Sequence, residues 1–336
     1  MPYHQTRWKL DALLPSHEGP EAEKALKTLE RKVKKVEGWR KKLKAAMPAK
    51  AFAALIDDYE SMIYDLHRLY GYAGLKFSED TQNQSALVFM NKIQQLYADV
   101  QNRTLFFSLW WKALDNVNAK RLMKMAGDRR YWLEEMRHFK PHTLSEAEEK
   151  IVNLKNVNGV SALETLYESI TNKFSFTLEV DGEKKTLTRD ELGVYVRHPS
   201  ADVRAAAYKE MYRVYGEHGP VLAQIYSSIV RDWRSENVGL RKFRSPISVR
   251  NLANDLPDEV VDTLLKVIAK NAGVFQRYLK LKAKWIGMPR LRRYDIYAPL
   301  ADSEKKVDYN DAVQMVLDTF NEFSPRVGEL AKKVFD

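Results

Sequence analysis

TQNQSALVFMNKIQQLYADVQNRTLFFSLWWKAL, residues 81–114, has apolar side chains at helical intervals along its whole length. Leu87, Met90, Ile93 and Leu96 are three residues apart, which places them on one face of an α-helix. Neither Gly nor Pro interrupts the segment. The pattern predicts one long helix, and therefore an architecture in which other helices pack on it.

The flanking sequence predicts further helices by the same spacing rule. Ser145 with Glu148 and Thr188 with Glu191 also have the spacing of a capping box, which marks a helix start. No fixed-period repeat is present, which disfavours a solenoid. The predicted helices cover 21–46, 49–72, 128–138, 145–157, 160–172, 200–238 with a bend near 216–220, 255–285, 309–323 and 326–335.

One short segment alternates like a β-strand. Phe174, Phe176, Leu178 and Val180 are separated by polar residues, and Asp181-Gly182 follows as a tight-turn dipeptide. Residues 185–188 can form the returning strand. A lone hairpin is marginally stable in water, so it must pack on helices. The predicted fold class is therefore all-α, with multi-helix lobes and one small β-hairpin.

The composition indicates the class of protein and the cellular compartment. The 336 residues are 45% hydrophobic and 30% charged, as in globular soluble proteins, and no cysteine is present. Disulfides and thiolate metal sites are excluded, and a reducing compartment is the simplest one. The N-terminus lacks the apolar core of a signal peptide, and no apolar run approaches a membrane span. These features predict a cytoplasmic location and no membrane partner.

The formal net charge is +10, which could attract nucleic acid. The cations are dispersed among acidic residues, and the densest group, Arg31 to Lys44, is interpreted as a solvated helix face. No nucleic-acid motif accompanies the charge. A nucleic-acid partner is therefore not expected; such a partner would bind with an affinity that falls steeply with salt.

A search for catalytic and metal sites finds no complete one. His138 and His142 have the i, i+4 spacing of two ligands on a helical turn, but Pro141 lies between them and predicts that the helix stops. The sequence contains no H-E-x-x-H, no G-x-S-x-G and no phosphate-binding loop. We therefore predict neither a catalytic residue nor a metal ligand in these 336 residues.

Residues 290–300, RLRRYDIYAPL, form an irregular segment between two predicted helices. Such loops often line clefts, which makes Arg293, Asp295 and Tyr297 candidate binding residues. A structural Arg–Asp ion pair is the alternative interpretation. The Trp110-Trp111 pair and the tyrosines within 208–226 are interpreted as core or packing residues.

Several segments, in order along essentially the whole chain, resemble the oligoendopeptidase F family of zinc metallopeptidases, which are thimet oligopeptidase-like. They are WKLDALLP at 8–15, RHFKPHTLSEAEEK at 137–150, the hairpin and following helix at 174–192, RHPSADVRAAAY at 197–208, and YDIYAPL at 294–300 followed by the helix from Tyr309 and by Phe323-Ser-Pro325. The resemblance implies two helical lobes around a channel that admits short peptides. It makes Arg293, Asp295 and Tyr297 candidates for the substrate channel.

The same resemblance implies a zinc helix with H-E-x-x-H and a further Glu ligand, where Zn²⁺ activates water and the motif Glu is the general base. None of these residues can be assigned here, so we expect Zn²⁺ in a full-length parent and none bound by this segment.

The expected domains are an N-terminal helical region at 1–112, an oligoendopeptidase F N-terminal-type domain at 113–198, and the first part of the peptidase lobe at 199–336. The expected partners are short peptides and a missing C-terminal catalytic portion. The segment alone is expected to be inactive; the alternative is a non-enzymatic helical binding protein or split-protein subunit.

Overall fold

The computed structural model describes residues 3–4, 8–300 and 307–335. The chain divides into two compact units, residues 10–298 and residues 1–9 with 299–336. Each unit is helical, and the larger one contains the two-stranded antiparallel hairpin. The predicted fold class, all-α with one small hairpin, is confirmed. The predicted domain bounds at 112 and 198 stay a prediction.

Three long helices open the larger unit and pack on one another: α1 Pro20–Glu37, α2 Ala49–Glu79 and α3 Gln84–Ala113. The Asn83 side chain accepts a hydrogen bond from the Ala86 N–H and so caps α3. The long helix predicted over 81–114 is confirmed. The core between these helices contains fully buried large side chains, among them Leu29, Phe52, Leu66, Ile93, Phe107 and Trp111.

Two predicted helix ends are wrong. α1 ends at Glu37 instead of residue 46: the Trp39 N–H donates to the Val36 carbonyl oxygen, three residues back, and a 3₁₀ turn, Arg40–Lys42, follows. α2 continues to Glu79 instead of stopping at residue 72, and Gly71 lies within it. Since Phe77, beyond the predicted end, is buried in the core, packing outweighs the low helix propensity of glycine.

Shorter helices follow: α4 Asn116–Met123, α5 Arg130–His138, α6 Glu146–Asn156, α7 Ala162–Thr171 and α8 Arg189–Val194. α5 ends at His138, as the proline at 141 predicts. Both capping boxes are present, at the starts of α6 and α8. Part of the basic charge of α1 and the turn after it is neutralised within the fold, since Lys35 lies 2.7 Å from Asp58 and Arg40 lies 2.7 Å from Glu146.

The hairpin joins β1 Phe176–Val180 to β2 Glu183–Leu187, with Phe176 opposite Leu187. Asp181 and Gly182 both have positive φ, 55° and 78°, as a type I′ turn requires. The apolar face of β1 is buried against two later helices, chiefly Ala201–Glu217 and to a smaller extent α8. The predicted hairpin and its dependence on helix packing are confirmed.

The rest of the larger unit contains α9 Ala201–Glu217, α10 Gly219–Trp233, α11 Pro246–Ala253 and α12 Asp258–Trp285. The predicted bend lies at His218, between α9 and α10. In α12 the apolar face forms as predicted, but Leu264 and Phe275 are 57% and 63% exposed. This helix therefore presents an apolar surface rather than a core face.

In the smaller unit, α13 Tyr309–Phe323 and α14 Pro325–Phe335 confirm the last two predicted helices and pack closely on each other. The Tyr3 N–H donates to Asn310 Oδ1 at 2.9 Å. Within the described ranges of the chain, no helix combines the length and apolarity needed to cross a bilayer.

Candidate functional site

The irregular segment after α12 is organised around one buried carboxylate. Asp295 ends a short 3₁₀ turn, Arg293–Asp295, and its side chain is 0% exposed. Its Oδ1 accepts from Arg204 Nη2 at 2.8 Å, and its Oδ2 accepts from Arg292 Nε at 2.7 Å. The Arg292 backbone N–H also donates to Oδ2 at 3.1 Å. Asp295 therefore fixes the loop conformation.

Arg204 connects this loop to α9. It lies in the first turns of the helix, its side chain is 3% exposed, and it also donates to the carbonyl oxygens of His198 and Pro199 at 2.7 and 2.6 Å. Burial raises the pKa of Asp295, but the hydrogen bonds and charges of Arg292 and Arg204 outweigh it and hold that pKa below its ordinary value of 3.8. The carboxyl is therefore charged at neutral pH.

A second buried cation, Lys282, also holds the loop. The Lys282 side chain, on the last turns of α12, donates to the Ile296 carbonyl oxygen at 2.7 Å, and the residue is 6% exposed. The Arg292 guanidinium lies 4.5 Å from the centre of the Tyr294 ring. These contacts hold the segment at Arg292 and at Ile296.

The other two predicted residues are accessible. Arg293 is exposed, and Tyr297 is 56% exposed. Arg293 also borders a groove of about 700 Å³ between the C-terminal part of α12 and the loop. Lys280, Lys284 and Arg290 border the same groove, which makes it strongly basic. Such a groove suits an acidic or carboxylate-bearing ligand.

Tyrosines extend this surface along α9. The Tyr208 ring lies 4.7 Å from Tyr212 and 5.1 Å from Tyr294, measured between ring centres. A hydrogen bond with Tyr212 raises the pKa of the Tyr208 hydroxyl. Tyr212 and Tyr226 are 61% and 71% exposed, so neither is a core residue. The alternative interpretation of the tyrosines at 208–226 as packing residues stays a prediction. Trp111, by contrast, is fully buried, as expected.

The structure thus separates the three candidates into one buried carboxylate and two exposed side chains. The structural Arg–Asp ion pair that competed with the cleft interpretation is present at Asp295. Arg204 and Lys282 were missed, because nothing in the sequence indicates that these two cations of amphipathic helices point inward. Arg204 does lie within the 197–208 segment that carries the family resemblance.

The two histidines at helical spacing have separate partners. His142 Nδ1 lies 2.8 Å from the Arg241 carbonyl oxygen, and its ring stacks on Phe243 at 3.6 Å. His138 Nδ1 lies 3.1 Å from Glu135 Oε1. A zinc centre of the H-E-x-x-H type needs two imidazoles and a carboxylate around one ion. The described residues do not fit that centre, and we assign no catalytic step to them.

Comparison with known proteins identifies the family. The family model for the Oligopeptidase F domain matches residues 110–176, and the model for Peptidase family M3 matches residues 194–335. The chain belongs to the oligoendopeptidase F family of these metallopeptidases.

Its relatives are bacterial oligopeptidases. Oligopeptidase PepF of Bacillus subtilis is 25% identical over 92% of this chain and 46% of its own length. Group B oligopeptidase PepB of Streptococcus agalactiae is 28% identical over 78% of this chain and 45% of its own. The crystal structure of oligoendopeptidase-F from Enterococcus faecium superposes with a TM-score of 0.72 at 20% identity, covering 91% of this chain and 65% of that one. The chain therefore has the fold of these peptidases and spans about half the length of the curated relatives it matches.

Proposed function

We propose that this chain forms the substrate-channel wall of a zinc-dependent oligoendopeptidase that hydrolyses short peptides. The family match, which extends over most of the chain, carries the proposal. In this proposal Arg293 and Tyr297 contact the peptide. Asp295 does not contact it but holds the loop that carries both residues, through its ion pairs with Arg204 and Arg292. The absence of cysteine supports a cytoplasmic location.

The basic groove beside Arg293 gives the proposal a chemical basis. Lys280, Lys284 and Arg290 surround it, and a peptide presents a C-terminal carboxylate or acidic side chains. The hydroxyl groups of Tyr208 and Tyr297 supply hydrogen bonds that do not depend on a particular side chain of the peptide. A surface of this kind binds many short peptides with little sequence preference.

We further propose that the zinc ligands and the general base belong to a C-terminal catalytic portion that completes the enzyme. The H-E-x-x-H motif is absent from the 336 residues, and the described donors do not fit a peptidase centre. The 336-residue chain alone therefore has no peptidase activity in this proposal.

The exposed face of α12 supports a missing partner portion. Leu264, Leu265, Ile268, Phe275 and Trp285 are 51% to 63% exposed on one helix. Several large apolar side chains exposed on one helix are typical of an interaction site in a soluble protein. The same surface would serve a split-protein subunit, which is the alternative function.

A quenched-fluorescence peptide assay tests the proposal. The 336-residue chain is expected to give no cleavage above buffer, and the complete gene product is expected to cleave a short peptide and to lose that activity with a zinc chelator. In the complete enzyme, Arg293→Ala is expected to raise KM more than it lowers kcat. Cleavage by the 336-residue chain itself, or chelator-insensitive cleavage by the complete product, would show that the proposal is wrong.

A further inference from the structure

A group of metal-ligating side chains lies far from the groove. Glu135 and His138 are one turn apart on α5, and Asp255 lies in the turn between α11 and α12. One ligand atom from each of the three side chains lies within 4.8 Å of the other two. His138 Nδ1 and Glu135 Oε1 are 3.1 Å apart.

The backbone conformation of Asp255 and a hydrogen bond from α5 fix the position of the Asp255 side chain. Asp255 has a φ of 54°, in the left-handed region, and its N–H donates to the Leu252 carbonyl oxygen at 3.1 Å. The Tyr131 hydroxyl, also on α5, donates to Asp255 Oδ2 at 2.5 Å. The second carboxylate is therefore held in place opposite the first.

The carboxylates of Glu135 and Asp255 have few positively charged neighbours. In the described part of the chain, no Lys or Arg lies within 4.0 Å of the carboxylate of Glu135 or Asp255, and only His138 lies that close to Glu135. Among the described residues, one imidazole is therefore the only candidate counter-charge for these two carboxylates, and a bound divalent cation would stabilise them.

We propose that Glu135, His138 and Asp255 bind one divalent transition-metal ion of the Zn²⁺ class, a site separate from peptide hydrolysis. Imidazole and carboxylate are both Zn²⁺ ligands, whereas Mg²⁺ prefers oxygen donors. Ligands at about 2.1 Å in a tetrahedron are about 3.4 Å from each other, close to the separation of the Glu135 and His138 donors. Asp255 is the third ligand, since its ligand atom lies within 4.8 Å of the other two, and water completes the shell.

The ion would connect two parts of the family fold. Glu135 and His138 lie in the segment matched by the Oligopeptidase F domain, and Asp255 lies in the segment matched by Peptidase family M3. A metal at this position would fix α5 against the turn that starts α12. The inference goes beyond the proposed function, and its test does not involve peptide cleavage.

Isothermal titration of the metal-free 336-residue chain with Zn²⁺ tests the site. One bound ion per chain is expected, with no binding of Mg²⁺ under the same conditions. Asp255→Asn and His138→Gln each remove a ligand, and each is expected to weaken Zn²⁺ binding by more than about 10-fold. Asparagine tolerates left-handed φ, so Asp255→Asn keeps the turn.

Two further variants separate this site from adventitious surface binding. Tyr131→Phe leaves all three ligands but frees Asp255, and a loss of about 10-fold is expected. Glu134→Gln is the matched control, because Glu134 lies on the same helix and instead accepts from Arg130 at 2.9 Å; unchanged affinity is expected. Circular dichroism verifies that each variant is folded. Absence of Zn²⁺ binding, or binding that survives both ligand substitutions within about twofold, overturns the proposal.

Discussion

Replacing Asp295 by Asn removes the negative charge that Arg204 and Arg292 share, while keeping the size of the side chain. Asp295 is 0% exposed and Arg204 is 3% exposed, so water cannot solvate the guanidinium that is left. Removing one partner of a buried ion pair costs about 3–5 kcal/mol. Because Arg204 keeps its bonds to two backbone carbonyls, we expect the lower end, about 3 kcal/mol of unfolding free energy.

Urea unfolding followed by circular dichroism measures this loss at neutral pH. The control is Glu217→Gln, which breaks the ion pair with Arg213 on the outside of α9, where the side chains are 60% and 52% exposed. We expect that control to cost no more than about 0.5 kcal/mol. A loss below about 1 kcal/mol for Asp295→Asn would refute the conclusion that this carboxylate holds the loop to α9.

The pH dependence gives an independent check of the same residue. The pKa of Asp295 is lower in the folded protein than its ordinary value of 3.8, so unfolding lets the carboxyl bind a proton more readily. Its stabilising contribution is complete above that ordinary value and is lost as pH falls through the folded pKa. The difference in stability between wild type and Asp295→Asn should therefore shrink below about pH 4. A difference that stays constant down to strongly acidic pH would contradict the assignment.

Three local substitutions test the fold by the same urea titration. Thr188→Ala removes the cap that receives the Glu191 N–H, with an expected cost of about 1 kcal/mol; no measurable loss would contradict the capping role. Gly182→Ala forces a side chain onto a φ of 78°, and we expect about 1 kcal/mol, with a neutral effect contradicting the type I′ turn. Trp111→Phe loses the 2.8 Å bond to the Leu133 carbonyl and some packing volume, for an expected 2 kcal/mol or so; a loss under about 0.5 kcal/mol would contradict its place in the core.

Secondary structure followed from local chemistry wherever one signal dominated. The spacing of apolar residues gave the long helix α3, and the alternation before Asp181-Gly182 gave the hairpin. Helix ends were less predictable. The predicted end of α2 at residue 72 was wrong, because the burial of Phe77 is a tertiary effect that no local pattern contains.

The candidate site was predictable only in part, for the same physical reason. Sequence chemistry pointed to the loop at 290–300 and left open whether Asp295 binds a ligand or forms an ion pair with an arginine. In the structure Asp295 forms an ion pair with Arg204, which lies on α9, 91 residues earlier in the chain. The proximity of Glu135, His138 and Asp255 could not be predicted for the same reason, because spacing along one segment does not indicate that Asp255, on another element, lies beside α5.

The two faces of α12 show how the proposed channel wall can be completed without closing the groove. Gln276, Lys280 and Ala283 border the groove and lie on one side of the helix, at spacings of three and four residues. Tyr278 and Trp285 are exposed apolar residues about half a helical turn away from that side. A segment that buries Tyr278 and Trp285 therefore packs on the side of α12 opposite the groove, and Lys280 stays accessible to a peptide.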